Sequence, residues 1–270
     1  MPFDPVLIAA VRVERARRAD VEPSAGPHDL FTVATIAALL EGRFDGDLTM
    51  GELLTHGDLG VGTLNGLDGE MLVLDGVAWQ GRVDGSLRRI TPDERTPFAC
   101  VVPFAADGAF AVAAPADGTL DLDALQDAID ARLPDPAGLW ALRIEAEVAC
   151  WTVRSIAKQS PPYRSLAEVA ADERVTELPA GRATLVGFRA PDAFGGVGVA
   201  GYHLHGADAA RAMGGHVLAL ALRSATVAYD RVDTVHVELP PGVDPALRAL
   251  APDAAARIRA AEHGVPGARG

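Results

Sequence analysis

The side chains of this chain that could do chemistry fall in three places. His203 and His205 lie in Gly201-Tyr202-His203-Leu204-His205, with His216 following Gly214-Gly215; Glu70 closes a glycine-rich stretch; Arg154 sits in Thr152-Val153-Arg154-Ser155. Extended chain alternates its side chains with a period of two, so His203 and His205 share a face. The short segment ending in Gly214-Gly215 predicts a return strand alongside. His216 opens that strand in the run HVLALAL, where parity groups it with Leu218, Leu220 and Leu222 on an apolar, inward face. Imidazole nitrogens buried among leucines need partners. A divalent metal is the economical one, because zinc takes histidine nitrogens at about 2.0–2.1 Å and pairs three protein ligands with an open position when it is catalytic. Spacing alone leaves surface or structural histidines as the alternative. His28, His56, His236 and His263 are scattered and read as structural or solvated.

The segment from His56-Gly57 to Gly69-Glu70 is glycine-rich enough to suggest a phosphate cradle. Its order, Gly57-x-x-Gly60-x-Gly62, is not a dinucleotide fingerprint, and no helix pattern follows to lend a dipole. Lys158 is the sole lysine of the chain, so no Walker lysine exists. The better reading is a tightly wound backbone that delivers Glu70 to the mouth of a strand; a solvated turn acid is the plain alternative. Arg154 ends an alternating strand and could reach a site as a fork for a carboxylate, or pair with an acid at the surface.

Those residues require strands to hold them. Asp-Gly recurs at 45–46, 68–69, 75–76, 84–85, 107–108 and 117–118, joined by Asn65-Gly66. Such dipeptides supply the positive φ of tight hairpins, and the short apolar runs between them predict a β-meander. One helix interrupts it: Thr119 or Asp121 can cap, and Leu122, Leu125, Ile129 and Leu133 repeat at helical spacing before Pro134 and Pro136. From Trp140 to Val148 apolar residues alternate with Arg143, Glu145 and Glu147. A second helix is predicted near Ser165 to Asp172, and further strands follow up to Leu239. The class is therefore α+β, mostly antiparallel or mixed sheet with few helices. Composition shifts predict an N-terminal arm over 1–30, a β-rich subdomain over 31–136, a metal-binding β-rich subdomain over 137–244, and a tail over 245–270.

Bulk composition narrows the function classes. The 270 residues are 49% hydrophobic and carry 24 basic against 37 acidic side chains, a net charge of −13. That surface argues against sequence-independent binding to nucleic acid or an anionic membrane, while a small anionic substrate responds to its local site. Cys100 and Cys150 stand alone in apolar runs and read as two buried, reduced thiols. The apolar stretch near the N-terminus is short, with its arginines after it, which is neither a signal peptide nor a spanning helix. A cytoplasmic location is the expectation.

Taken together, GDLGVGTLNGLDGEMLVLDG, PFA at 97–99, VRSIAKQ at 153–159 and GFRAPDAFGGVGVAGYHLH with the later GGH resemble the acetolactate decarboxylases, over about residues 31–240 and in one order. The resemblance implies zinc on His203, His205 and His216, with Glu70 and Arg154 as acid–base and polar partners. It also implies a carboxylate from the C-terminal tail, for which Glu262 is the candidate. The implied reaction is decarboxylation of (S)-2-acetolactate to (R)-acetoin and carbon dioxide. In it the metal chelates the hydroxyl and ketone oxygens and stabilises an enediolate. A homodimer is also implied. The chain departs from the family pattern at Ala146, Val148, Ala200, Gly206 and Ala209-Ala210, while every ligand position survives. Leu64 and Gly206 are the expected influences on pocket volume. Two readings compete: a three-His barrel doing oxygen or hydrolytic chemistry, against which a preference of iron oxygenases for two histidines and a carboxylate counts, and a non-catalytic small-molecule binder.

Overall fold

Hairpin turns of the predicted kind organise the first half of the molecule. In the turn after Leu74, Asp75 (φ 53°) and Gly76 (φ 72°) both take positive φ, the combination that matches the twist of a two-residue hairpin. The computed structural model describes residues 26–116 and 118–238; most of the predicted arm, the whole predicted tail, Glu262 and His263 lie outside the described residues.

The strands, in chain order, are β1 (Asp29–Val33), β2 (Leu48–Thr49), β3 (Leu59–Thr63), β4 (Glu70–Leu74), β5 (Val77–Gly81), β6 (Leu87–Arg89), β7 (Arg95–Thr96) and β8 (Ala99–Val102). There follow β9 (Gly108–Ala113), β10 (Leu120–Asp121), β11 (Trp140–Ser155), β12 (Arg174–Leu178), β13 (Gly181–Ala190), β14 (Gly201–Asp208), β15 (Gly214–Arg231) and β16 (Thr234–Glu238). Among the described residues four short α-helices join them: α1 (Ile36–Leu40), α2 (Met50–Leu53), α3 (Leu122–Asp130) and α4 (Leu166–Ala170). The class is α+β, as the sequence predicts.

One large sheet runs β16-β1-β8-β3-β4-β5-β6; the other is built on β10, β15, β14, β13, β11 and β12, with β9 on β15 and β15 also paired to β11, while β2 and β7 form a separate two-stranded sheet. The two large sheets do not follow the predicted division between residues 136 and 137. Strand β16 returns from the second half to lie parallel to β1, and β9 and β10 of the first half join β15. Burying apolar sheet faces against each other outweighs keeping sequence neighbours together. The core between the sheets includes Leu72, Leu74, Cys100, Val186, Phe188 and Ala207. A second core lies on the far side of the second sheet, where Leu125 and Ile129 of α3 cover Leu142, Ile144, Leu185 and Leu204. Asp121 caps α3, its side chain accepting from Ala124 N at 2.8 Å, which selects one of the two capping residues the sequence offers.

Strand β14 alternates without a break along its partner β13. The long pair β11–β15 does not: its register shifts between Glu147 and Val148, between Val148 and Cys150, and between Thr152 and Val153. Each shift leaves an extra residue, Arg223 and Leu218 on β15 and Ala149 on β11, the signature of β-bulges. Two expectations from the sequence, the apolar face of His216 and the burial of Cys150, are corrected by them. Leu220 and Leu222 pack with Val217 in the α3-side core, so His216 shares no face with them and turns to the opposite side. Likewise Val148, Trp151 and Val153 point into that core, and Cys150 is exposed while Cys100 is buried. Burial pushes the Cys100 thiol up to about 12.

Candidate functional site

Glu70 and Met71 begin β4, directly after a wound loop. Gly69 sits at φ 76°, and a Cβ there would come within 2.4 Å of Gly81 O, so only glycine lets the turn close. The turn is also tied to the second half of the chain: Gly69 N donates to Ile156 O at 3.0 Å and Gln159 N to Gly66 O at 2.6 Å. Just before, Ser155 Oγ donates to Gly81 O at 2.7 Å. These bonds fix the segment that carries Arg154 against the loop that carries Glu70. On β4, Glu70 shares the face of Leu72 and Leu74, which look across at the other sheet.

From the second sheet, three adjacent strands present one row. Arg154 on β11 pairs with His216 on β15, and His216 pairs with His205 on β14. His203 stands two residues along on the same face. The bulges at Ala149 and Leu218 bring Arg154 and His216 to that face, against their sequence parity. The three rings lie with centroids 4.9–5.2 Å apart. One nitrogen from each lies within 4.8 Å of the others, and all three side chains are buried.

His205 Nδ1 lies 2.7 Å from Met71 O. A carbonyl can only accept, so Nδ1 carries the proton and Nε2 presents its lone pair to the site, the arrangement usual for a metal-binding histidine. The same Nε2 is 3.4 Å from Glu70 Oε2. The donor set therefore fits a divalent metal. Arg154 is almost fully buried, and its Nη1 donates to Glu173 Oε2 at 3.1 Å. Glu173, between α4 and β12, has no signal in the sequence.

A cavity of about 400 Å³, counting its open mouth, meets this row. Glu70, Arg154, His203 and Thr63 form its polar side; Ile36, Leu39, Leu67, Phe98, Ile156 and Leu166 form its apolar side. Neither Leu64 nor Gly206 lines it. Leu64 belongs to the core on the outer face of the first sheet, and Gly206 faces α3, where a Cβ would come within 2.5 Å of the Trp151 ring. On that same α3 side, Tyr202 donates to Asp130 Oδ1 at 2.8 Å and Arg189 Nε donates to the same oxygen at 2.9 Å, binding α3 to the strand that carries two of the histidines. Burial and the Asp130 carboxylate push the Tyr202 phenol above its usual range.

A second grouping, His28 with Asp107 and Asp230, lies where β1, β9 and β15 meet. There His28 Nδ1 bonds the Asp230 carboxylate, Asp230 Oδ2 accepts from Ala105 N at 2.9 Å and Asp107 Oδ2 from Arg231 N at 2.7 Å. These acids fasten loops. The structure thus brings together Glu70, Arg154, His203, His205 and His216; Glu262 is outside the described residues.

Residues 30–247 match the family model described as alpha-acetolactate decarboxylase. The alpha-acetolactate decarboxylase of Methylococcus capsulatus is 40% identical over 242 residues, covering 89% of this chain and 91% of that protein. That of Klebsiella aerogenes is 35% identical over 78% of this chain and 80% of its own length. The crystal structure of alpha-acetolactate decarboxylase from Bacillus subtilis strain 168 superposes with a TM-score of 0.80 at 30% identity, over 87% of this chain and 99% of that one. With that fold and that length of match, the chain belongs to the alpha-acetolactate decarboxylase family of carboxy-lyases.

Proposed function

We propose that the chain converts (S)-2-acetolactate to (R)-acetoin and carbon dioxide, with zinc held by His203, His205 and His216. The observation that carries this reading is the meeting of three buried imidazoles with one arginine and one carboxylate beside a small cavity. When bound, zinc supplies Lewis acidity toward the hydroxyl and ketone oxygens of the substrate.

The chain's own residues do the rest. Arg154 binds the substrate carboxylate, because its fork matches that group and stays charged at every working pH. Its ion pair with Glu173 holds the guanidinium in one orientation. Breaking the bond from the carboxylate to the hydroxyl-bearing carbon releases carbon dioxide and leaves the bonding electron pair on the substrate. Glu70 then donates the proton that completes a new C–H bond at that carbon, and donation from one side gives a product of one hand. Leu67, Phe98 and Ile156 exclude water from this step. Met71 O keeps His205 in the tautomer that leaves Nε2 available. On the family resemblance, Glu262 brings a second carboxylate to the site and the working protein is a homodimer; Glu262→Gln and light scattering test these two points.

The deciding experiment feeds acetolactate to the purified full chain before and after chelation, and then after zinc is restored. Acetoin should appear, vanish and return. Undiminished acetoin after complete metal removal would contradict the zinc role, and iron content with oxygen uptake would favour an oxygenase instead.

A further inference from the structure

The apolar half of the cavity is not uniform in origin. Phe98 and Ile156 are held by the sheets: Phe98 O accepts from Thr63 N at 3.1 Å, and Ile156 O from Gly69 N at 3.0 Å. Ile36, Leu39 and Leu166 come instead from the single-turn helices α1 and α4, which pack on each other. Each helix is anchored by its own cap. Thr35 Oγ1 accepts from Ala38 N at 3.2 Å, and Ser165 shares a capping box with Glu168, whose Oε2 accepts from Ser165 N at 2.9 Å. Leu39 and Leu166 are each 4% exposed, so neither can swing into solvent to make room.

The polar lining comes from strands instead: Thr63 of β3, Glu70 of β4, Arg154 of β11 and His203 of β14. Arg154, Glu70 and His203 take the oxygens of a compact oxyacid, which leaves its hydrocarbon part facing the helix pair. We propose that Leu39 of α1 and Leu166 of α4 form the wall that sets the largest 2-alkyl group this enzyme admits. This rests on the decarboxylase reading above and goes beyond it by naming the residues that select among 2-alkyl-2-hydroxy-3-keto acids. The sequence directs attention to Leu64 and Gly206 for this role, and both lie on the wrong side of their sheets.

A wall of this kind discriminates by volume. One methylene in a tight apolar pocket changes kcat/KM by about tenfold or more, so shortening the wall should favour the larger substrate. The full-length, zinc-loaded chain is assayed with acetolactate and its 2-ethyl homologue, and the ratio of the two kcat/KM values is read. In Leu166→Ala and Leu39→Ala the ratio of ethyl to methyl should rise about tenfold; in Leu166→Phe it should fall. Leu64→Ala, which opens space in a different core, should leave the ratio unchanged. If Leu39→Ala fails to fold, Leu39→Val replaces it and should move the ratio in the same direction. Folded Leu166 variants with the wild-type ratio would overturn the wall while leaving the decarboxylase reading intact. A wild-type chain inactive on both substrates would remove that reading, and the wall with it.

Discussion

Strand β14 and the pair β11–β15 carry the same kind of cargo by different means. β14 is regular, so counting by twos puts His203 and His205 together, and the structure agrees. β11 and β15 carry Arg154 and His216 beyond β-bulges, and counting by twos sends both to the wrong face. Half of the site's row therefore stands where the ladder is broken. A bulge adds one residue, bends the strand and re-aims the side chains beyond it. A long strand can then be apolar on its α3 side at both ends and still turn one arginine and one histidine toward the opposite sheet. The regular strand supplies two of the three histidines by simple alternation; the bulged ones add the third and the arginine.

The two regions separate under mutation. His205→Ala, on the regular strand, should cost the most: the loss of bound zinc by elemental analysis, and a fall in kcat/KM of about 10³-fold, the upper scale for removing a group that stabilises developing charge. Full zinc content in that variant would remove His205 from the ligand set. Arg154→Gln, beyond the bulge, should keep its zinc and lose about 10²-fold in kcat/KM, through loss of a charge-assisted fork to the substrate carboxylate. If it loses zinc as well, Arg154 supports the metal site and not the substrate carboxylate alone. Gly206→Ala tests the other face of β14. Its Cβ would crowd the Trp151 ring, so stability should fall by about 1–3 kcal/mol in denaturant titration, with the selectivity between substrates untouched. The smallest effect is a chemical one with no consequence for activity. A maleimide should label Cys150 in the native protein and spare Cys100, which becomes reactive only on unfolding. Protection of Cys150 would mean that β11 alternates regularly and carries no bulge at Ala149.

Legibility in the sequence divides along the same line. The turn dipeptides, the cap at Asp121 and the alternation of Trp140 through Val148 are local signals, and they suffice for the α+β class. His203, His205 and Glu70 are legible because each depends on its own strand's period or its own turn. Bulges are not, since the sequence around Ala149 and Leu218 contains nothing that local propensity distinguishes from regular strand; the break is set by pairing with a partner dozens of residues away. Parity misplaces Cys150 for that reason. The return of β16 to β1, the contact of Glu173 with Arg154, and the α1–α4 wall are all products of packing between distant segments. The cavity lining is therefore the least readable feature: Leu64 and Gly206 stand near motifs in sequence, not near the cavity in space.

In the proposed site, imidazoles from a regular strand and a bulged one converge on a single zinc ion. Zinc-edge X-ray absorption on the purified full chain tests it most directly. Three nitrogen scatterers with the imidazole ring pattern, at about 2.0–2.1 Å, are predicted for the wild type, and two for His216→Ala at whatever zinc it retains. Sulfur among the zinc ligands, or an unchanged spectrum in His216→Ala, would contradict the account.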